Sequence, residues 1–240
     1  MCICLWFSRF DVFASGCYYD LGSNLVILVM FQDSPQFALL NFGIALWLFY
    51  IWYCDLKNFC LIKKIRNGAL EGDTSVSLSL VFIAIVCGVI LLAIHTCTEM
   101  ALGVESEQTK VAPWALLSWI SAAFVEELIF RGFLVVKNKG RVLLCLSSLF
   151  FSFIFAIGHP FVWDYTIPEN ASIFAGEWKF NFSAQTVNAT ISIFECSMLF
   201  YILRFLPINV NRSIIPCISA HFSYNVGVFV VKAFQGYIAW

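Results

Sequence analysis

Apolar residues in this chain fall in long, nearly unbroken stretches rather than in the alternating or one-sided patterns of soluble strands and helices. About 20 mostly apolar residues cross the hydrocarbon of a bilayer as a helix. Segments 36–54, 77–97, 113–136, 142–159, 189–206 and 213–235 meet or nearly meet that length. Six membrane helices are therefore expected, and the fold class is an all-α polytopic bundle. Residues 1–35 hold one apolar run, Leu21 to Phe31, too short to span, and are expected as a short N-terminal segment at the interface. The remainder divides into N-terminal transmembrane helices over 36–112 and a core over 113–240, with no internal repeat or low-complexity linker between them.

The polar connections alternate in sign. Lys57, Lys63, Lys64 and Arg66 follow the first helix, Lys137, Lys139 and Arg141 the third, and Arg204 and Arg212 bracket the fifth turn. Glu99, Glu105 and Glu107 lie in the second connection against Lys110, and Asp164, Glu169 and Glu177 in the fourth against Lys179. The positive-inside rule then places connections one, three and five in the cytoplasm. The fourth connection, 160–188, is rich in Trp, Tyr and Phe, which suits a segment lying on the membrane surface and capping a cavity.

Composition supports the same class. Of 240 residues, 61% are hydrophobic and 12% charged, against about 25% charged in soluble chains. A mean hydropathy of +0.85 leaves more apolar side chain than one core buries, so the lipid bilayer is a partner. A net charge of -1 without a basic run excludes nucleic acid as a main partner. Ten scattered cysteines without a CxxC pair read as small hydrophobes rather than as disulfides or metal ligands.

Ionisable groups inside hydrocarbon cost roughly 2.5–3.5 kcal/mol each, so each within a span is a functional candidate. The third helix carries Glu126, Glu127 and Arg131. Glu127 and Arg131 are i,i+4 and share a face, which leaves Glu126, turned about 100° away, as a carboxylate placed to accept or donate a proton. His159 precedes Pro160, which disfavours helix at the residue before it, so the imidazole is expected at a helix end. His221 and Asn225 lie one turn apart and are able to hold one ligand between them, as an oxyanion hole does. His95 and Glu195 are further candidates: His95, at a helix end near Glu99, is expected at the interface, and Glu195 is the weaker candidate, for a supporting role. Any one of these residues is more often packing than chemistry, but packing gives no reason for the set on three helices.

The ordered motifs Glu126-Glu127-x-x-x-Arg131, Phe155-x-x-x-His159 and His221-x-x-x-Asn225, with Arg212-Ser213-Ile214-Ile215-Pro216 leading into the third, resemble the CPBP family of intramembrane proteases. That family includes the type II CAAX prenyl endopeptidases and the abortive-infection proteins, and the resemblance covers about 113–235. It implies hydrolysis of a peptide bond in a membrane-associated peptide or lipidated protein. Glu126 and His159 would polarise water, His221 and Asn225 would hold the oxyanion, and Glu127, Arg131 and Phe155 would support the site. Glu126, His159 and His221 would also satisfy a His2Glu set for a divalent metal such as Zn2+, with metal-free chemistry preferred. The cavity is expected to face the cytoplasm. Two rivals share the features: a non-catalytic binding or immunity protein of the same fold, and a proton-linked transporter, which the lack of an inverted repeat disfavours.

Depth poses one difficulty. Glu126 precedes Lys137 by about 16 Å of helix and His221 follows Arg212 by about 14 Å, but His159 follows Arg141 by about 27 Å. Either Arg141 to Ser147 projects from the membrane or sits at its interface, or the fourth helix tilts strongly.

Overall fold

The computed structural model describes residues 34–63, 69, 72–136, 139–166 and 175–240. The expected interfacial segment 1–35 lies outside them except for its last two residues, as do Lys64, Arg66 and Lys137. Six α-helices follow: α1 Pro35–Ile62, α2 Leu78–Leu102, α3 Ala115–Glu127, α4 Arg141–Gly158, α5 Ala184–Phe205 and α6 Ile215–Phe234. Their ends follow local chemistry. Ser34, Ser77 and Ser183 cap α1, α2 and α5 by accepting the N–H three residues on, and α2 stops at Gly103 in the left-handed region.

Five of the six helices are long and apolar enough to cross a membrane, so the chain is an integral, multi-pass helical protein. The exception is the third expected span, 113–136. There α3 runs for 13 residues and gives way to a π-helical turn, Leu128–Phe133, marked by the Leu134 N–H reaching back five residues to the Ile129 carbonyl at 2.8 Å. The fourth connection contains a hairpin that hydrophobic length did not reveal. Strands β1 Trp163–Thr166 and β2 Glu177–Phe180 pair antiparallel, with Trp163 opposite Phe180 and Asp164 opposite Lys179.

α2 packs along α6, α1 along α3, and α4 along α5, while α3 and α6 meet at the centre. The α2–α6 crossing is close because the residues there are small. A Cβ at Gly88 would stand 2.5 Å from the Ala220 carbonyl oxygen, and Ala84 and Ala220 are wholly buried beside it. In the first seven residues of α4 every side chain is exposed or half-buried, and burial begins at Ser148. The start of α4 therefore packs little against the bundle, which it joins from Ser148 onward.

Arg204 is not the loop charge that its place in the sequence suggested. It is 2% exposed, packed under Gly72, where the φ of +101° and the lack of a Cβ let the loop backbone close over the guanidinium. Asp73 supplies opposite charge there, and Asn209 braces the turn by donating to the Leu203, Arg204 and Ser213 carbonyls.

Candidate active site

Glu126, His159, His221 and Asn225 all line one cavity of about 450 Å³, so residues from α3, the end of α4 and α6 converge as the motifs required. Glu127 is the hub beneath it. Its Oε1 accepts from Arg131 Nη1 at 3.0 Å and from His221 Nδ1 at 2.9 Å, and neither Glu127 nor Arg131 has any exposed surface. A carboxylate paired with arginine accepts hydrogen bonds only, so His221 holds its proton on Nδ1 and turns Nε2 towards Glu126. That nitrogen lies 3.8 Å from Glu126 Oε2, too far for a direct hydrogen bond.

Arg131 is tied further into the bundle. Nη2 donates to the Ser197 carbonyl at 2.8 Å and to its hydroxyl at 2.6 Å, and Ser197 Oγ donates to Ser152 Oγ at 2.9 Å. The guanidinium is enclosed by the rings of Phe155, Phe200 and Tyr201 at 4.7–5.1 Å. The wider π turn carries Arg131 into this position, and Tyr201 Oη closes it by donating to the Phe130 carbonyl at 2.7 Å and the Leu134 carbonyl at 3.2 Å. Ser152, Ser197 and Tyr201 had no sequence signal beyond being hydroxyls inside apolar helices.

His159 occupies the C-cap of α4 with extended backbone (φ -86°, ψ 118°), as Pro160 required. Its Nδ1 lies 2.7 Å from the Phe155 carbonyl. A carbonyl only accepts, so Nδ1 carries the proton and Nε2 is the basic nitrogen. Phe155, buried, thus serves through its backbone and through its ring, which packs 4.8 Å from the His159 ring. Asn225 donates one amide N–H to the Trp119 carbonyl at 3.1 Å, which orients the group against α3 while leaving its second N–H for a ligand.

Glu126, His159 and His221 are the side chains that a divalent metal would use, and the bonds at Nδ1 leave Nε2 of both histidines open. As they are placed, no three His, Cys, Asp or Glu side chains among the described residues are grouped closely enough to hold an ion. No step below is routed through a metal.

His95 is not at a helix end. It is 4% exposed, two turns inside the end of α2, with Nδ1 2.8 Å from Tyr224 Oη and Nε2 2.9 Å from Glu195 Oε2. Glu195 meets the site residues only through His95. The three residues join α2, α5 and α6 one turn along from His221, and His95 and Tyr224 line the cavity. α2 therefore forms part of the cavity wall, although the motifs lie beyond residue 113.

The fourth connection supplies another wall through Phe161, Trp163 and Phe180, as expected of a capping segment. The cavity extends to Glu99, Gln108, Lys179 and Lys232, at the end of the bundle that carries connections two and four. Lys139, Arg141 and Arg212 lie at the opposite end. The cavity thus reaches the end of the bundle opposite the basic connections.

A sequence model of the family described as type II CAAX prenyl endopeptidase Rce1-like matches residues 108–227, half of the 240-residue chain. No curated protein and no solved structure matches it.

Proposed function

Because the chain belongs to the type II CAAX prenyl endopeptidase Rce1-like family, a family of membrane-embedded peptide hydrolases, we propose that it cuts prenylated, membrane-associated peptides with a water activated by Glu126 and His159. The observation that carries the reading is the convergence of Glu126, His159, His221 and Asn225 on one partly enclosed cavity. Water held between Glu126 and Nε2 of His159 gives a proton to Glu126 as it attacks the scissile carbonyl. The developing oxyanion takes a hydrogen bond from the second N–H of Asn225, and a second from Nε2 of His221 when that ring enters the step carrying both of its protons, with Nδ1 held by Glu127. Glu126 then returns the proton to the departing amine. Arg131 fixes Glu127 by its hydrogen bond, and Glu127 in turn holds His221 in the required rotamer.

The same reading orients the protein. A prenylated peptide enters from the cytoplasmic leaflet, so the cavity mouth faces the cytoplasm and Lys139, Arg141 and Arg212 face the other compartment, against the charge bias of the loops. The rule is a bias set by loop charge, not a barrier to translocation.

The test is cleavage of a quenched fluorescent prenyl-cysteine peptide by purified protein in detergent, beside Glu126→Gln and His159→Ala, with and without chelator. Cleavage by the wild type alone, unchanged by chelator, is expected. Equal cleavage by Glu126→Gln would overturn the mechanism, loss with chelator would overturn its metal-free form, and no cleavage by folded wild type would favour the binding protein.

A further inference from the structure

One ionisable cluster in the cavity wall takes no part in the chemistry above. His95 of α2 stands between Tyr224 of α6 and Glu195 of α5, with Nδ1 2.8 Å from the Tyr224 hydroxyl and Nε2 2.9 Å from Glu195 Oε2. His95 is 4% and Tyr224 9% exposed, whereas the Glu195 side chain, halfway along α5, is 49% exposed. An ionised carboxylate only accepts, so a neutral His95 donates from Nε2 to Glu195, and its bare Nδ1 takes the phenol proton of Tyr224. The Cys196 thiol is hydrogen-bonded to the same phenol. One further proton on the Glu195–His95 pair reverses the order. It either makes His95 an imidazolium or sits on Glu195, which then donates to Nε2. In both cases Nδ1 carries a hydrogen and donates to Tyr224. The phenol O–H is then released to turn towards the cavity, which Tyr224 lines one residue before Asn225.

We propose that Tyr224 is a further substrate-binding residue, donating to a peptide carbonyl beside the scissile bond, and that Glu195 and His95 are its positioning residues, which release this donor when they take up a proton. The inference rests on the proteolytic reading above. A peptide carbonyl is the fitting guest, because it sheds its water on entering the cavity and is costly to leave without a donor. The Cys196 sulfur is only a weak acceptor and does not hold the freed hydroxyl against it. The charged and titratable neighbours of the cluster are Glu99 on α2, with Lys232 of α6 and Glu105 beside it, Cys196 on α5, and the Glu127–Arg131 pair beyond Cys196. They bias the pH at which the proton is taken up. The tautomer itself is decided by the two groups that meet the ring nitrogens, Glu195 and Tyr224. His95 precedes the segment 108–227 that matches the family, so the switch draws on a residue outside the shared motifs.

The experiment compares cleavage of the quenched prenyl-cysteine peptide by wild type and Tyr224→Phe from about pH 5 to about pH 9, beside NMR of the imidazole nitrogens over the same range. The chain has three histidines, so the His95 signals are assigned by their loss in His95→Phe. Nδ1 of His95 is expected bare at the alkaline end and protonated at the acid end. Over the same step the kcat/KM ratio of wild type to Tyr224→Phe rises about two- to twelvefold towards acid, the size of one neutral hydrogen bond, mainly through KM. The ratio cancels the titrations of Glu126, His159 and His221 that both proteins share, and a merely structural loss lowers both ends of the profile alike. In His95→Phe the phenol has no imidazole to serve, so adding Tyr224→Phe there costs the same factor at every pH. A His95 Nδ1 that keeps one protonation state throughout would overturn the switch, and a ratio that stays flat across the step would overturn the bond to substrate. If folded wild type cuts nothing, the protease reading falls, and peptide affinity over the same pH range decides in place of the rate. A wild-type advantage over Tyr224→Phe that grows as Nδ1 gains its proton upholds the role of Tyr224, and equal affinities throughout refute it.

Discussion

Replacing Arg131 by methionine separates what holds the site from what the site does. Methionine fills much of the space between Phe155, Phe200 and Tyr201 but removes the charge and three hydrogen bonds, to Glu127, Ser197 O and Ser197 Oγ. Glu127 is left as a carboxylate without surface or counter-charge. Breaking a fully buried pair on one side costs about 3–5 kcal/mol. For a chain of this size that lowers the unfolding temperature by about 6–20 °C, measured by fluorescence-detected unfolding in detergent. Removing both charges in Glu127→Leu/Arg131→Met leaves no orphaned carboxylate and regains most of the loss. The double variant does not regain cleavage, because His221 Nδ1 has lost the acceptor that sets its tautomer and rotamer. An Arg131→Met protein that unfolds at the wild-type temperature would refute the energetic reasoning, and a double variant with full activity would refute the orienting role of Glu127.

Tyr224→Phe deletes the hydrogen bond to His95 and costs about 0.5–1.5 kcal/mol, read as a small fall in unfolding temperature; an unchanged temperature would mean that the His95 contact holds nothing. Gly88→Leu pushes α2 from α6 where a Cβ already meets the Ala220 carbonyl, and a loss of at least about 1–3 kcal/mol in the same assay is expected, with wild-type stability counting against so close a crossing. Membrane-impermeant maleimide applied to the cytoplasmic face should add one adduct over the wild type in Lys179→Cys and none in Lys139→Cys; the reverse pattern would turn the cavity to the other compartment and remove prenylated cytoplasmic peptides as its substrates.

The motif residues were legible because each is a local violation: a carboxylate, an arginine or an imidazole amid apolar neighbours. Pro160 even gave the backbone state of His159. His95 was misread because helix length was underestimated: α2 continues to Leu102, so the histidine lies inside it. The spacing of Ala84, Gly88 and His95 at four and seven residues marks one buried helix face and was available to correct this. The hairpin also left a trace, the alternation of aromatic and polar residues in Trp163-Asp164-Tyr165-Thr166 and Glu177-Trp178-Lys179-Phe180. The π turn left none. It exists because Arg131 is drawn both to Glu127 and to Ser197 on α5, a tertiary demand that no local pattern encodes.

The wall that α2 contributes lies outside the segment the family shares, while every motif lies inside it. Part of the wall that a guest would meet therefore varies independently of the residues that would act on it. A chimera exchanging α2 alone would change that wall and leave Glu126, His159, His221 and Asn225 in place.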